Sequence, residues 1–221
     1  MNKIYKLVSL FLTIVLVLSA VATGTVSAEE TLNMSISVID CGQGDSILIS
    51  SDGEYMLVDA AKTANAYQVT AYLDSLKIKK LDYVVASHPD EDHIGGMPSV
   101  YNKYQVENSI YSPYVGSTQA YKKYMSAIKA EPNSSYGTVQ NDEKWYVGDA
   151  LVEVLYNGKN GSSSNDSSIV LRVTCGETDL ILTGDISNKV EIQTNMIKVS
   201  GNKYKATEVG TYYIKYEVID D

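Results

Sequence analysis

Six consecutive residues concentrate the reactive side chains of this sequence: His88-Pro89-Asp90-Glu91-Asp92-His93. They include both histidines of the chain and three carboxylates. Imidazole with carboxylate is a donor set for zinc, or for manganese or iron when oxygen dominates. The preceding run, Leu81-Asp82-Tyr83-Val84-Val85-Ala86, reads as a buried strand. A strand end followed by a turn can aim several side chains at one point. Gly95-Gly96, just behind the cluster, lets the chain turn tightly. The same residues would also fit a solvated acidic loop with two incidental histidines. The His-x-Asp-x-Asp-His spacing favours a divalent metal, one or two ions.

The segment resembles the His-x-His-x-Asp-His signature of the metallo-β-lactamase fold. It looks most like the variant in competence-type (ComEC-like) DNA-uptake proteins, where the second histidine is an aspartate and Ile-Gly-Gly follows. Three further stretches carry the same likeness. Asp40-Cys41-Gly42-Gln43-Gly44-Asp45-Ser46 resembles the Asp-Val-Gly-Gln-Gly-Asp-Ser loop of that variant, which implies that Gln43 and Asp45 can touch substrate. Leu57-Val58-Asp59-Ala60-Ala61 resembles Leu-Ile-Asp-Ala-Gly, with Ala61 in place of the usual glycine. That match implies that Asp59 orders the metal loop from behind. Leu182-Thr183-Gly184-Asp185 resembles Leu-Thr-Gly-Asp, whose aspartate bridges two metals. Asn165, Asp166 and Ser168 loosely match the Asn-x-x-Ser piece before the strand that precedes it.

The resemblance implies one site from His88 and Asp90, and a second from Asp92 and His93, with Asp185 shared between them. Such paired ions activate water for attack on a phosphorus or carbonyl centre. Asp90 and Asp92 are the candidates for proton transfer. The implied substrate is a phosphodiester or another small molecule. Two histidines and three aspartates are fewer ligands than a closed dinuclear site uses, and no histidine follows His93. Reduced activity is the expectation, with zinc as the metal or manganese given the many oxygens. A non-catalytic binding module on the same scaffold is the alternative.

Around these motifs, alternating strands and helices imply a four-layer αββα sandwich, an α/β (α+β) class. Residues 32–187 form this body, incomplete on its C-terminal side. Thr63 reads as the cap of a helix from Ala64 to about Leu76, with Val69, Leu73 and Leu76 on its packed face. Further helices are expected near residues 96–104 and 118–130, the latter with Tyr121, Met125 and Ile128 along one side. Residues 131–141 read as polar and turn-rich. Strands are expected at 34–39, 47–49, 55–61, 81–86, 109–111, 145–147, 150–156, 167–173 and 180–185.

Residues 1–28 have Lys3 and Lys6, then an apolar stretch, then Val26-Ser27-Ala28, which reads as a secretory signal peptide. The expected location is secreted or cell-surface, with no spanning segment in the mature chain. The full chain carries 18 basic and 27 acidic side chains, a net charge of −9. Such a surface does not attract nucleic acid by itself. Cys41 and Cys175 are the only cysteines. Export would permit a bridge, but they fall in different sheet regions. Residues 188–221 form a β-rich tail, in which Tyr204 to Tyr213 resembles the closing hairpin of bacterial Ig-like repeats.

Overall fold

The computed structural model describes residues 33–132, 134–187, 197–200, 203–205 and 211–213. The leader-like start and most of the tail lie outside these residues. Thirteen strands and four α-helices are described. The chain opens with β1 (Met34–Val38), β2 (Ile47–Ser51) and β3 (Glu54–Val58). A 3-10 turn, Thr63–Asn65, leads into α1 (Ala66–Ser75). Then come β4 (Lys80–Ala86), α2 (Glu91–Ile94), α3 (Met97–Lys103), β5 (Gln105–Tyr111), α4 (Gln119–Ala130) and β6 (Ser135–Gly137). The second half is β7 (Lys144–Val147), β8 (Ala150–Tyr156), a 3-10 turn Asn165–Ser167, β9 (Val170–Cys175) and β10 (Thr178–Leu182). The tail contributes β11 (Ile197–Ser200), β12 (Lys203–Lys205) and β13 (Thr211–Tyr213).

Strands β1 to β6 form one sheet in sequence order. A second sheet has the order β13-β10-β9-β8-β7, and β11 pairs with β12. Alternation along each strand explains the layering. Ile47, Ile49, Met56 and Val58 face one way and meet Val152, Val154, Leu171 and Val173 of the second sheet. Leu48 and Leu57 face the other way, against Val69, Leu73, Met97, Val100, Tyr124 and Ile128 of the helices. Among the described residues this gives helices on sheet on sheet, the expected sandwich without an outer helical layer on the second sheet. That outer face carries charge instead. Lys144, Glu153 and Arg172 lie opposite one another on β7, β8 and β9. Glu153 pairs with Lys144 at 2.8 Å and with Arg172 at 3.3 Å. No described helix is long and apolar enough to cross a membrane.

Several boundaries differ from the sequence expectation. Thr63 does not cap α1. The chain makes a 3-10 turn there, and Asn65 precedes the helix without a side-chain cap bond. Thr118 does cap α4, accepting from Tyr121 N–H at 3.1 Å. Tyr124 and Ile128 are the buried residues of α4, while Tyr121 and Met125 pack at its margin. The turn-rich stretch contains β6, which pairs parallel to β5. Ser167 to Ile169 precede β9, because residues 165–167 turn to reach the site. The cysteines are free and buried, Cys41 on the helix side of the first sheet and Cys175 between the sheets.

Candidate metal centre

Strands β3, β4 and β5 run parallel, so their C-terminal ends open on one edge. Open α/β sheets place their sites at that edge. Asp59 ends β3, and Ser87-His88 follow β4. Asp90 precedes the short helix α2, which carries Asp92 and His93. Asp185 arrives from the other sheet, after β10, and its N–H donates to Ser168 Oγ at 3.2 Å.

Backbone contacts lock these pieces together. Asp45 N–H donates to the Asp92 carbonyl (3.3 Å), Ala60 N–H to that of His93 (2.8 Å), and Gly96 N–H to that of Ala61 (3.0 Å). Gly44 has φ +101°, and a Cβ there would sit 2.0 Å from the Asp92 carbonyl oxygen. Only glycine allows both the conformation and the approach. Asp59 and Ala61 hold left-handed backbones, φ +59° and +60°. Non-glycine residues in that region cost roughly 1–3 kcal/mol each and gather at functional sites.

Asp59 is 1% exposed and spends its carboxylate on the histidine turn. Its Oδ1 accepts from Ser87 N–H at 2.8 Å. Its Oδ2 accepts from Ser87 Oγ at 2.6 Å and from His93 Nδ1 at 2.8 Å. A carboxylate only accepts, so His93 carries a proton on Nδ1. Ser87 gives its one proton to Asp59. His88 Nδ1, 3.1 Å from the same hydroxyl, must therefore be the donor in that pair. Both neutral imidazoles then keep their lone pairs on Nε2.

Those lone pairs converge. His93 Nε2 is 3.4 Å and His88 Nε2 3.9 Å from Asp185 Oδ2. Asp90 Oδ2 is 3.6 Å from His88 Nε2. His88 is 1% exposed, and its Nε2 has no hydrogen-bond partner. Acceptors facing acceptors in a buried place need a cation between them. Tetrahedral zinc, with ligand bonds of about 2.0–2.2 Å, spaces its ligands about 3.3–3.5 Å apart, so these donors fit a divalent ion. In the metal-free chain the cation is a proton. Burial alone would push His93 down, but the Asp59 and Asp185 carboxylates outweigh it and hold its pKa well above the ordinary value. Burial opposes ionisation of Asp185 too, yet the adjacent His93 keeps it below the usual range. Asp90 is lowered by His88, against some burial, with help from Ser164 Oγ at 2.6 Å.

The expected residues therefore divide. His88, His93 and Asp185 form one group of ligand atoms, all within 4.8 Å of one another. Asp45, Asp59 and His93 form a second such group. Asp92 is half-buried, and neither its carboxylate nor that of Asp90 belongs to either group. Gln43 is exposed on the glycine loop and accepts from Lys62 Nζ. Two serines of the site, Ser87 and Ser164, were not singled out from the sequence, whereas Ser168 entered it through the loose Asn-x-x-Ser match. Of those two, only Ser87, adjoining the motif, had a local signal.

Burial pushes the Asp45 carboxyl up to about 6, and the Asp59 charge adds to the rise. Its unfolded value is about 3.9. Folding thus favours the protonated acid, a contribution intact below about pH 4 and lost as pH rises through about 6. Asp45→Asn is expected to raise the melting temperature of chelator-treated protein by about 2–4 °C at pH 8, the effect of about 1 kcal/mol. At pH 4 it should do nothing. Identical melting at both pH values would refute this account of Asp45.

The fold is a two-sheet sandwich of known type with a group of candidate metal ligands converging at one edge. Residues 39–203 match the model of the metallo-beta-lactamase superfamily, and the chain belongs to that family. It is 27% identical over 172 residues to Competence protein ComA of Neisseria gonorrhoeae, covering 77% of this chain and 22% of that protein. It is 25% identical over 175 residues to ComE operon protein 3 of Bacillus subtilis (strain 168), covering 71% and 22% respectively. The chain thus spans about a fifth of the length of these relatives. Among solved structures, the metallo-beta-lactamase fold protein YhfI from Bacillus subtilis is similar with a TM-score of 0.51 at 18% identity. That match covers 68% of this chain and 62% of YhfI.

Proposed function

We propose that this protein is an exported metal-dependent hydrolase acting on phosphodiesters. The observation that carries the reading is the pair of buried Nε2 lone pairs aimed at one Asp185 oxygen. A bound divalent ion supplies Lewis-acid stabilisation and a more acidic water. His88, His93 and Asp185 would hold the ion, and Asp90, 3.6 Å from His88 Nε2, is the candidate for a fourth ligand. Zinc suits the two imidazoles, and manganese suits the oxygen donors. Asp59 and Ser87 fix a ring proton on each Nδ1, so that the Nε2 atoms are the ones turned toward a bound ion. Asp92, on the same turn, takes the proton of the attacking water when one ion is bound, and would ligate a second ion. The likeness to competence proteins supports a phosphodiester of single-stranded nucleic acid. The acidic composition favours a short diester over a long strand.

The test is metal analysis of the purified protein, followed by hydrolysis of bis(p-nitrophenyl) phosphate with added zinc or manganese. About one ion per chain and measurable turnover are expected. Asp185→Ala should lose the ion, and Asp92→Ala should slow turnover about 10²–10⁴-fold, the usual weight of a general base. A folded protein that takes up no metal would overturn the reading and favour the binding module.

A further inference from the structure

Asp45, Asp59, Asp90 and Asp185 bring four carboxylates beside the two histidines. An anionic substrate entering there meets a predominantly negative field. Lys62 is a cation that the backbone fixes beside this cluster. It lies three residues beyond Asp59, with an extended backbone (φ −68°, ψ 156°). The residue before it is bonded on both sides. Ala61 N–H donates to the Asp45 carbonyl at 2.9 Å, and the Ala61 carbonyl accepts from Gly96 N–H at 3.0 Å. Lys62 therefore emerges between the glycine loop and the turn that holds both histidines. Its ammonium donates to Gln43 Oε1, from the same loop as Asp45.

The charge of Lys62 is not spent. Lys80, Lys103, Lys144 and Arg172 each pair with a carboxylate. Among the described residues, no carboxylate oxygen lies within 4.0 Å of the Lys62 ammonium. A neutral amide takes one of its N–H bonds and leaves two donors and the full charge. The bond to Gln43 restrains the side chain, so part of its rotamer freedom is already lost in the free protein.

We propose that Lys62, steadied by Gln43, is the phosphate-contacting cation of this site. Its ammonium binds a non-bridging oxygen of a phosphodiester monoanion beside the metal centre. The inference rests on the phosphodiester reading above and names the residue that selects for substrate charge. A neutral ester or amide would gain nothing from this contact.

Two measurements test it on the zinc-loaded protein. One is the KM for bis(p-nitrophenyl) phosphate. The other is the anisotropy of a fluorescent, phosphorothioate-linked hexadeoxynucleotide across a salt series. Lys62→Ala should weaken both about tenfold, the scale of one charge-assisted hydrogen bond, with kcat nearly unchanged. The log–log salt slope should fall by about one. Lys62→Arg should restore the slope, and Lys129→Ala, at the far end of α4, should change neither measurement. A Lys62→Ala protein of normal melting temperature with wild-type affinity and slope overturns the proposal. So does a wild-type protein that binds no strand. If the wild type binds the strand, Lys62→Ala weakens that binding, and no diester is hydrolysed, the hydrolase reading fails and the Lys62 contact stands. If it hydrolyses the diester and Lys62→Ala matches it, only the Lys62 contact fails.

Discussion

Asp59→Asn is expected to lower zinc affinity about 10–100-fold although it removes no proposed metal ligand. The reason is donor bookkeeping at one buried carboxylate. Asp59 accepts three hydrogen bonds, two from Ser87 and one from His93 Nδ1. An asparagine offers one acceptor oxygen and an NH₂ group. Whichever way the amide is turned, its NH₂ faces at least one N–H or O–H. The imidazole can escape that clash by moving its proton to Nε2, which blocks the position the metal needs. His88 is affected at second hand, because Ser87 Oγ loses its fixed acceptor and with it the reason to accept from His88 Nδ1. Competition with a chromophoric chelator measures the affinity, and nitrogen NMR of the histidines reads the tautomers. Wild-type affinity with unchanged tautomers would sink the argument. Ser87→Ala should disturb His88 alone and cost less.

The second large effect is on pH. Zinc affinity is expected to rise about tenfold per pH unit wherever His93 is still protonated in the metal-free protein, since one proton must leave for each ion bound. The sign follows from the raised pKa of His93, which Asp59 and Asp185 impose against the opposing effect of burial. A folded-state pKa above the unfolded one gives stability that is complete below about pH 6.5 and disappears as pH rises through the folded value. Chelator-treated protein should therefore melt at lower temperature in alkaline buffer, and zinc-loaded protein should resist that loss. Calorimetric titration at pH 7 in buffers of different ionisation enthalpy counts the protons. No proton released would contradict the assignment of His93 as a ligand.

The motif and the strand before it were legible because they are local. A buried parallel strand reads as a continuous apolar run, and β4 does so up to Ala86. Strand β8 was read to its ends for the same kind of reason, with alternation over seven residues. Helix α4 was expected near 118–130 and spans Gln119–Ala130, although Thr118 was not read as its cap. The support of the site was not legible. Ser164 meets Asp90 across 74 residues. It does not differ in type from its neighbours in a Ser-rich loop. Strand β6 has three residues, two of them exposed, and exists because β5 offers it an edge. The position of Asp92, outside the groups that gather around His93, depends on how α2 turns rather than on motif spacing.

The backbone ties between the glycine loop, the end of β3 and the metal turn have a consequence for selectivity. Peptide groups, not side chains, make those ties, and the close approach at Gly44 leaves no slack between them. A cage held that firmly keeps its dimensions when empty. On the metal-dependent reading proposed above, it would discriminate among ions by radius and charge, because reshaping it around a poorly fitting one would break hydrogen bonds in three segments at once.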